Sequence, residues 1–165
     1  MSSAFQLIED TVLGSPAASI TFNTGLSGFT KFRLTLYVIK DGSSAPVYMR
    51  LNGDTGTNYA RQTLDANSTA VTGARATGAT EYRPINTQLF ASNPAILTAE
   101  IAKPLTTTPA RITSSLASIN TAGNIILWTG AGEWSNTADL ISSISILTSV
   151  GDFAANTRAV LEGAA

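Results

Sequence analysis

The stretch Phe29-Thr30-Lys31-Phe32-Arg33-Leu34-Thr35-Leu36-Tyr37-Val38-Ile39-Lys40 decides the fold class. Phe32, Leu34, Leu36 and Val38 alternate with Lys31, Arg33, Thr35 and Tyr37, so one face is apolar and the other polar or mixed. That period of two, rich in β-branched and aromatic residues, predicts a half-buried strand of an antiparallel sheet. Asp41-Gly42 follows as a turn signal, and Pro46-Val47-Tyr48-Met49-Arg50-Leu51 reads as the returning strand. Pro46 has no amide hydrogen to donate, which places it at that strand's start or on an edge.

Outward from this hairpin the same pattern recurs. Residues 6–13 and 18–22 read as two short strands broken by Gly14-Ser15-Pro16. Asn52-Gly53 and Asp54-Thr55-Gly56 form a sharp turn leading into Tyr59–Leu64. Further strands are expected at Ala95–Ile101, Ala110–Leu116, Asn124–Trp128, Leu140–Leu147 and Thr157–Glu162. Residues 65–80 are almost all small or polar and predict a long loop or a weakly paired excursion without core, and a short helical turn is expected near Asn86–Phe90. No window carries an apolar stripe at helical spacing. Many short strands at regular spacing give an all-β chain, an antiparallel β-sandwich of jelly-roll type. It is expected to be one domain over residues 1–165 with a short N-terminal arm at about 1–6.

Composition excludes much chemistry. The 165 residues contain no histidine and no cysteine, and only 13% are charged. Most proton-transfer, nucleophilic and soft-metal chemistry uses those absent side chains. About a quarter of the chain is Ser plus Thr, and 44% is hydrophobic, enough for a full core. A net charge of −1 offers no basic stripe, so no nucleic-acid partner is expected. Apolar runs such as Ile125–Trp128 fall far short of the roughly 20 residues that span a bilayer, so no membrane partner is expected. The N-terminus has no basic region followed by an apolar segment and does not read as a secretory signal. Low charge on a chain rich in Ala and Thr predicts a surface covered by neighbours and a homo-oligomer.

Four residues stand out as candidate partner or glycan contacts: Trp134, Glu133, Asp54 and Tyr59. Glu133-Trp134 lies in the Gly-rich run Gly130–Asn136, where an indole stacks on a sugar ring and a carboxylate accepts its hydroxyls. The competing reading folds Trp134 over the end of the sandwich or packs it on a sister subunit, and that reading is favoured. Trp128, inside the apolar run Ile125–Trp128, reads as core or as a sheet-face residue. Asp54-Thr55-Gly56 matches the aspartic-protease triplet, but that chemistry needs a second aspartate, and here the triplet follows a polar turn. Asp54, Asn58 and the more distant Asp65 are too few oxygens for a calcium site, so Asp54 is expected to cap its own turn. Glu81, Glu100, Glu133 and Asp139 show no spacing that pairs two carboxylates for glycoside hydrolysis. No catalytic residue, cofactor or metal is expected.

Four segments, in order, resemble a recurring domain of tailed-bacteriophage structural proteins found in capsid-decoration, baseplate and tail-fibre components. They are residues 13–22, 29–36, 49–59 and the C-terminal stretches 144–147 and 151–158. The most specific is Arg50-Leu51-Asn52-Gly53-Asp54-Thr55-Gly56-Thr57-Asn58-Tyr59. The resemblance implies a jelly-roll β-sandwich and a non-enzymatic role in the virion. Residues 65–110 match poorly, and the chain ends on Ala159–Gly163 where such domains close on an aromatic-containing strand. It is expected to stand alone, without a fibrous extension, as a capsid decoration or minor capsid protein that binds other virion proteins. The alternative is a tail-fibre or baseplate module that binds a host surface glycan. Residues 1–6, 65–80 and 130–137 are the expected contact segments.

Overall fold

The computed structural model describes residues 4–42, 44–84, 89 and 93–165. The expected helical turn at 86–90 lies, apart from Leu89, outside the described residues, as do residues 1–3 of the arm expected at 1–6, whose Gln6 already belongs to the first strand. Among the described residues every regular element is a strand. In chain order these are β1 (Gln6–Val12), β2 (Ser19–Phe22), β3 (Lys31–Val38), β4 (Lys40–Asp41), β5 (Val47–Leu51), β6 (Tyr59–Asn67) and β7 (Ala70–Ala79). The second half supplies β8 (Ala95–Ala102), β9 (Ala110–Ile119), β10 (Ile125–Trp134), β11 (Ile144–Thr148), β12 (Asp152–Phe153) and β13 (Arg158–Ala164).

All pairings are antiparallel. One sheet has the order β1-β13-β3-β8-β9-β10-β6-β7, and the second is β2-β11-β5. A small ribbon, β12-β4, closes one side. Met49 and Tyr82 exchange both backbone hydrogen bonds at 2.7 and 3.0 Å, so the Tyr82 segment occupies a fourth position beside β5. Four members of each layer, β1-β13-β3-β8 and β2-β11-β5-Tyr82, then carry the two interlocked Greek keys of a jelly roll. Within these eight positions the chain alternates between layers at every step except β5 to Tyr82.

Two hairpins, β6–β7 and β9–β10, extend beyond that eight-position frame. Both join the same sheet, with β9 on β8, β10 on β9 and β6 on β10. They double that layer from four strands to eight. Residues 65–80, expected as a loop or a weakly paired excursion, belong mostly to the exposed β6–β7 hairpin, which turns at Ser68 with a φ of 57°, so the loop reading gives way to the paired one. Small and Thr residues suffice there because β7 is an edge strand supported on one side only. The expected strand at 140–147 begins only at Ile144, and the last strand runs on to Ala164.

Alternation places the core as the sequence predicts. Phe32, Leu34, Leu36 and Val38 of β3 are buried, facing Ile20, Phe22, Met49, Ile144 and Ile146 in one cluster. Burying each such side chain contributes about 1.5–3 kcal/mol. Trp128 lies in this core, as expected.

Candidate functional site

Asn52-Gly53 forms the turn that sets the candidate residues in place. Both residues have left-handed backbone, with φ of 55° and 65°, and the Asp54 N–H closes the turn on the Leu51 carbonyl at 3.0 Å. This is the pair of conformations that Asn-Gly adopts with least strain. The Asn52 side chain anchors the turn, donating to the Leu140 carbonyl at 2.8 Å and accepting from the Ser142 and Ser143 N–H groups at 2.7 and 3.1 Å.

Asp54 emerges from that turn with its carboxylate fully engaged. Oδ1 accepts from the Gly56 N–H at 2.7 Å, while Oδ2 accepts from Asn58 Nδ2 at 2.8 Å and from Trp134 Nε1 at 2.6 Å. Burial pushes the pKa of Asp54 up, but the Trp134, Asn58 and Gly56 donors outweigh it and hold the carboxyl below its usual value. Its ionised oxygens face N–H donors, which leaves them poorly disposed to a cation. Among the described residues no group of three or more acidic, histidine or cysteine side chains gathers elsewhere to hold a metal. Asp65 stands apart on β6, opposite Trp128.

Tyr59 and Trp134 are register partners across β6 and β10, and both are buried. The Tyr59 hydroxyl accepts from the Leu51 N–H at 2.9 Å. Burial dominates its titration and raises the phenol to about 12, a shift the Leu51 backbone contact moderates. Lys103 completes the group. Its side chain is buried, and Nζ donates to the Thr108 and Asn136 carbonyls at 2.6 and 2.7 Å while standing 5.4 Å from the Trp134 ring centre. Asp54, Trp134 and Lys103 therefore lock three loops together at one end of the sandwich.

Glu133 does not join them. Neighbours along a strand point to opposite faces, so Trp134 turns into the core while Glu133 lies on the outer face, ion-paired with Arg111. One sugar cannot meet both from the same side. Residues 130–134, expected in a loop, are the end of β10. The other carboxylates are engaged separately: Glu100 pairs with Arg33 at 3.0 Å, Glu81 with Arg50 at 3.0 Å, and Asp139 accepts from Asn136 Nδ2 at 3.0 Å. None of them faces a second carboxylate in a shared cleft.

The surface feature that sequence reasoning missed is the outer face of the eight-stranded sheet. Cross-strand register aligns Val71, Ala66, Leu127, Ala117, Ile96 and Tyr37 in one row over six strands. Ile119 and Ile125 form the next pair toward the same end, and a groove of about 520 Å³ opens there beside Pro94. The row behind is hydroxylic, Thr35-Thr98-Ser115-Thr129, with Thr98 and Ser115 hydrogen-bonded at 2.7 Å. The run Ile125-Ile126-Leu127-Trp128 carried the signal, because four successive apolar residues in a strand make both of its faces apolar. No family model matches this chain, and neither a curated protein nor a solved structure was found to be similar to it.

Proposed function

We propose that this chain is a non-enzymatic structural component of a tailed-phage virion, a capsid decoration or minor capsid protein that binds the shell and stabilises it. The observation that supports this reading best is the doubled sheet layer, whose broad outer face presents exposed apolar side chains over six strands. Contiguous apolar surface of that extent marks a protein-contact site. The jelly roll agrees with the fold implied by the resemblance to phage structural domains. Binding only to the assembled shell would raise its stability by mass action, so the effect grows with the number of occupied sites. The glycan-binding alternative draws less support, because Trp134 is buried and Glu133 faces away from it.

The test is quantitative mass spectrometry of separated heads and tails from purified particles. A shell-binding subunit gives a copy number tied to the major shell protein in the head fraction. Recovery only with tails, together with binding of the free protein to host polysaccharide, would overturn the assignment.

A further inference from the structure

We infer that the outer face of the eight-stranded sheet is a self-complementary interface on which a second copy of this chain packs, sheet against sheet. Six of the large exposed apolar side chains lie at one end of this face: Tyr37, Val71, Ile96, Ile119, Ile125 and Leu127, each 46–73% exposed. Eight strands at about 4.8 Å spacing and strands of 7–10 residues offer on the order of 1,000 Å² of face. A stable pair needs about 800 Å² from each partner. The face is large enough, and the apolar row from Tyr37 to Val71 supplies a dry patch over six strands, bounded on β13 by the Arg158–Asp10 ion pair.

The register also fixes how two copies fit. Place a twofold axis parallel to the strands, between β8 and β9. Each row then lies over its own row in the other copy, so the apolar end meets the apolar end. Tyr37 falls over Leu127 of the other copy, Ile96 over Ala117, and Thr98 over Ser115. At the charged end the same operation sets Lys31 over Glu133. Lys31 is exposed and has no ion-pair partner among the described residues. The other outer-face charges fall on uncharged positions: Arg33 on Ala131, Glu100 on Thr113, Arg111 on Ala102, Glu162 on Gln62, Arg158 on Ala66, Asp10 on Gly73 and Arg75 on Leu7. No like charges are opposed. A perpendicular axis would instead lay the charged end of one copy on the apolar end of the other.

The experiment is sedimentation equilibrium with light scattering on the purified full chain. The 17.1 kDa chain should run as a dimer of twice that mass. Leu127→Glu and Ile96→Glu should each weaken association at least a hundredfold, with circular dichroism unchanged. Leu105→Glu, at an equally exposed apolar residue off this face, should leave the dimer intact. Lys31→Gln and Glu133→Gln should each weaken it a few-fold, and the double substitution no further, because both remove one contact. A monomeric parent chain overturns the inference, including one whose face is taken only by a different virion protein. Dissociation by Leu105→Glu but not Leu127→Glu would do the same. Additive losses in the Lys31/Glu133 pair would overturn the axis. Virion location and self-association are measured separately, so either reading can fail alone.

Discussion

Replacing Asp54 with alanine removes one acceptor that serves three donors. The Trp134 indole N–H has no access to water, since Trp134 is fully buried. Orphaning a buried donor costs about 1–3 kcal/mol. Gly56 is exposed and Asn58 half-buried, so water re-satisfies their groups, and each loses about 0.5 kcal/mol, the low end for a hydrogen bond. The expected loss is about 2–4 kcal/mol. For a domain of this length that lowers the melting temperature by roughly 4–16 °C. Urea unfolding followed by circular dichroism measures it. Trp134→Phe keeps most of the ring's bulk and removes the donor, so the Asp54→Ala/Trp134→Phe cycle isolates the contact, with a coupling of about 1.5–3 kcal/mol for a bond to a charged group. The sign with pH follows from the lowered pKa. The stabilisation is present above the ordinary value of 3.8 and is lost as pH falls through the lower folded value. The gap between parent and Asp54→Ala should therefore close in strong acid. An Asp54→Ala variant within 0.5 kcal/mol of the parent, or losses that simply add, would refute a structural carboxylate here.

Other substitutions probe the same end of the sandwich. Lys103→Met strips the buried ammonium donor from the carbonyls of half-buried Thr108 and Asn136 and should cost about 2–4 kcal/mol, read from the urea midpoint. Gly132→Ala drives a methyl group into the Ala60 carbonyl and the Tyr82 ring, and a loss of at least about 2 kcal/mol should appear in thermal melts. Tyr59, with its phenol raised to about 12 by burial, should show a matching late step in an ultraviolet titration of the folded protein, absent from the Tyr59→Phe variant. Its contribution to stability is complete below the ordinary value of 10.0 and disappears as pH rises toward 12, so alkaline unfolding should begin in that interval.

The strand β3 was legible because its alternation is strict, and a one-residue slip would expose four core side chains. The returning strand β5 and the Asn52-Gly53 turn were legible for equally local reasons. The β6–β7 hairpin was not, because an edge hairpin of Ala, Thr and Gly buries little and leaves no periodic trace. Asp54 could be read as a turn cap from its own neighbours. Its bond to Trp134 spans 80 residues and depends on how β10 registers with β6. Glu133-Trp134 misled because a Gly-rich run suggests a loop, in which adjacent side chains can meet one ligand. In a strand they separate to opposite faces. The doubling of one layer is a property of pairing order, which no local pattern carries.

The central claim is that this jelly roll serves by being held in a particle. Electron cryomicroscopy of intact virions tests it most directly. The account predicts density for the sandwich at symmetry-related positions on the shell, with the eight-stranded face covered by protein. Particles that lack such density on the shell, with this chain bound at the tail tip or missing altogether, would contradict it.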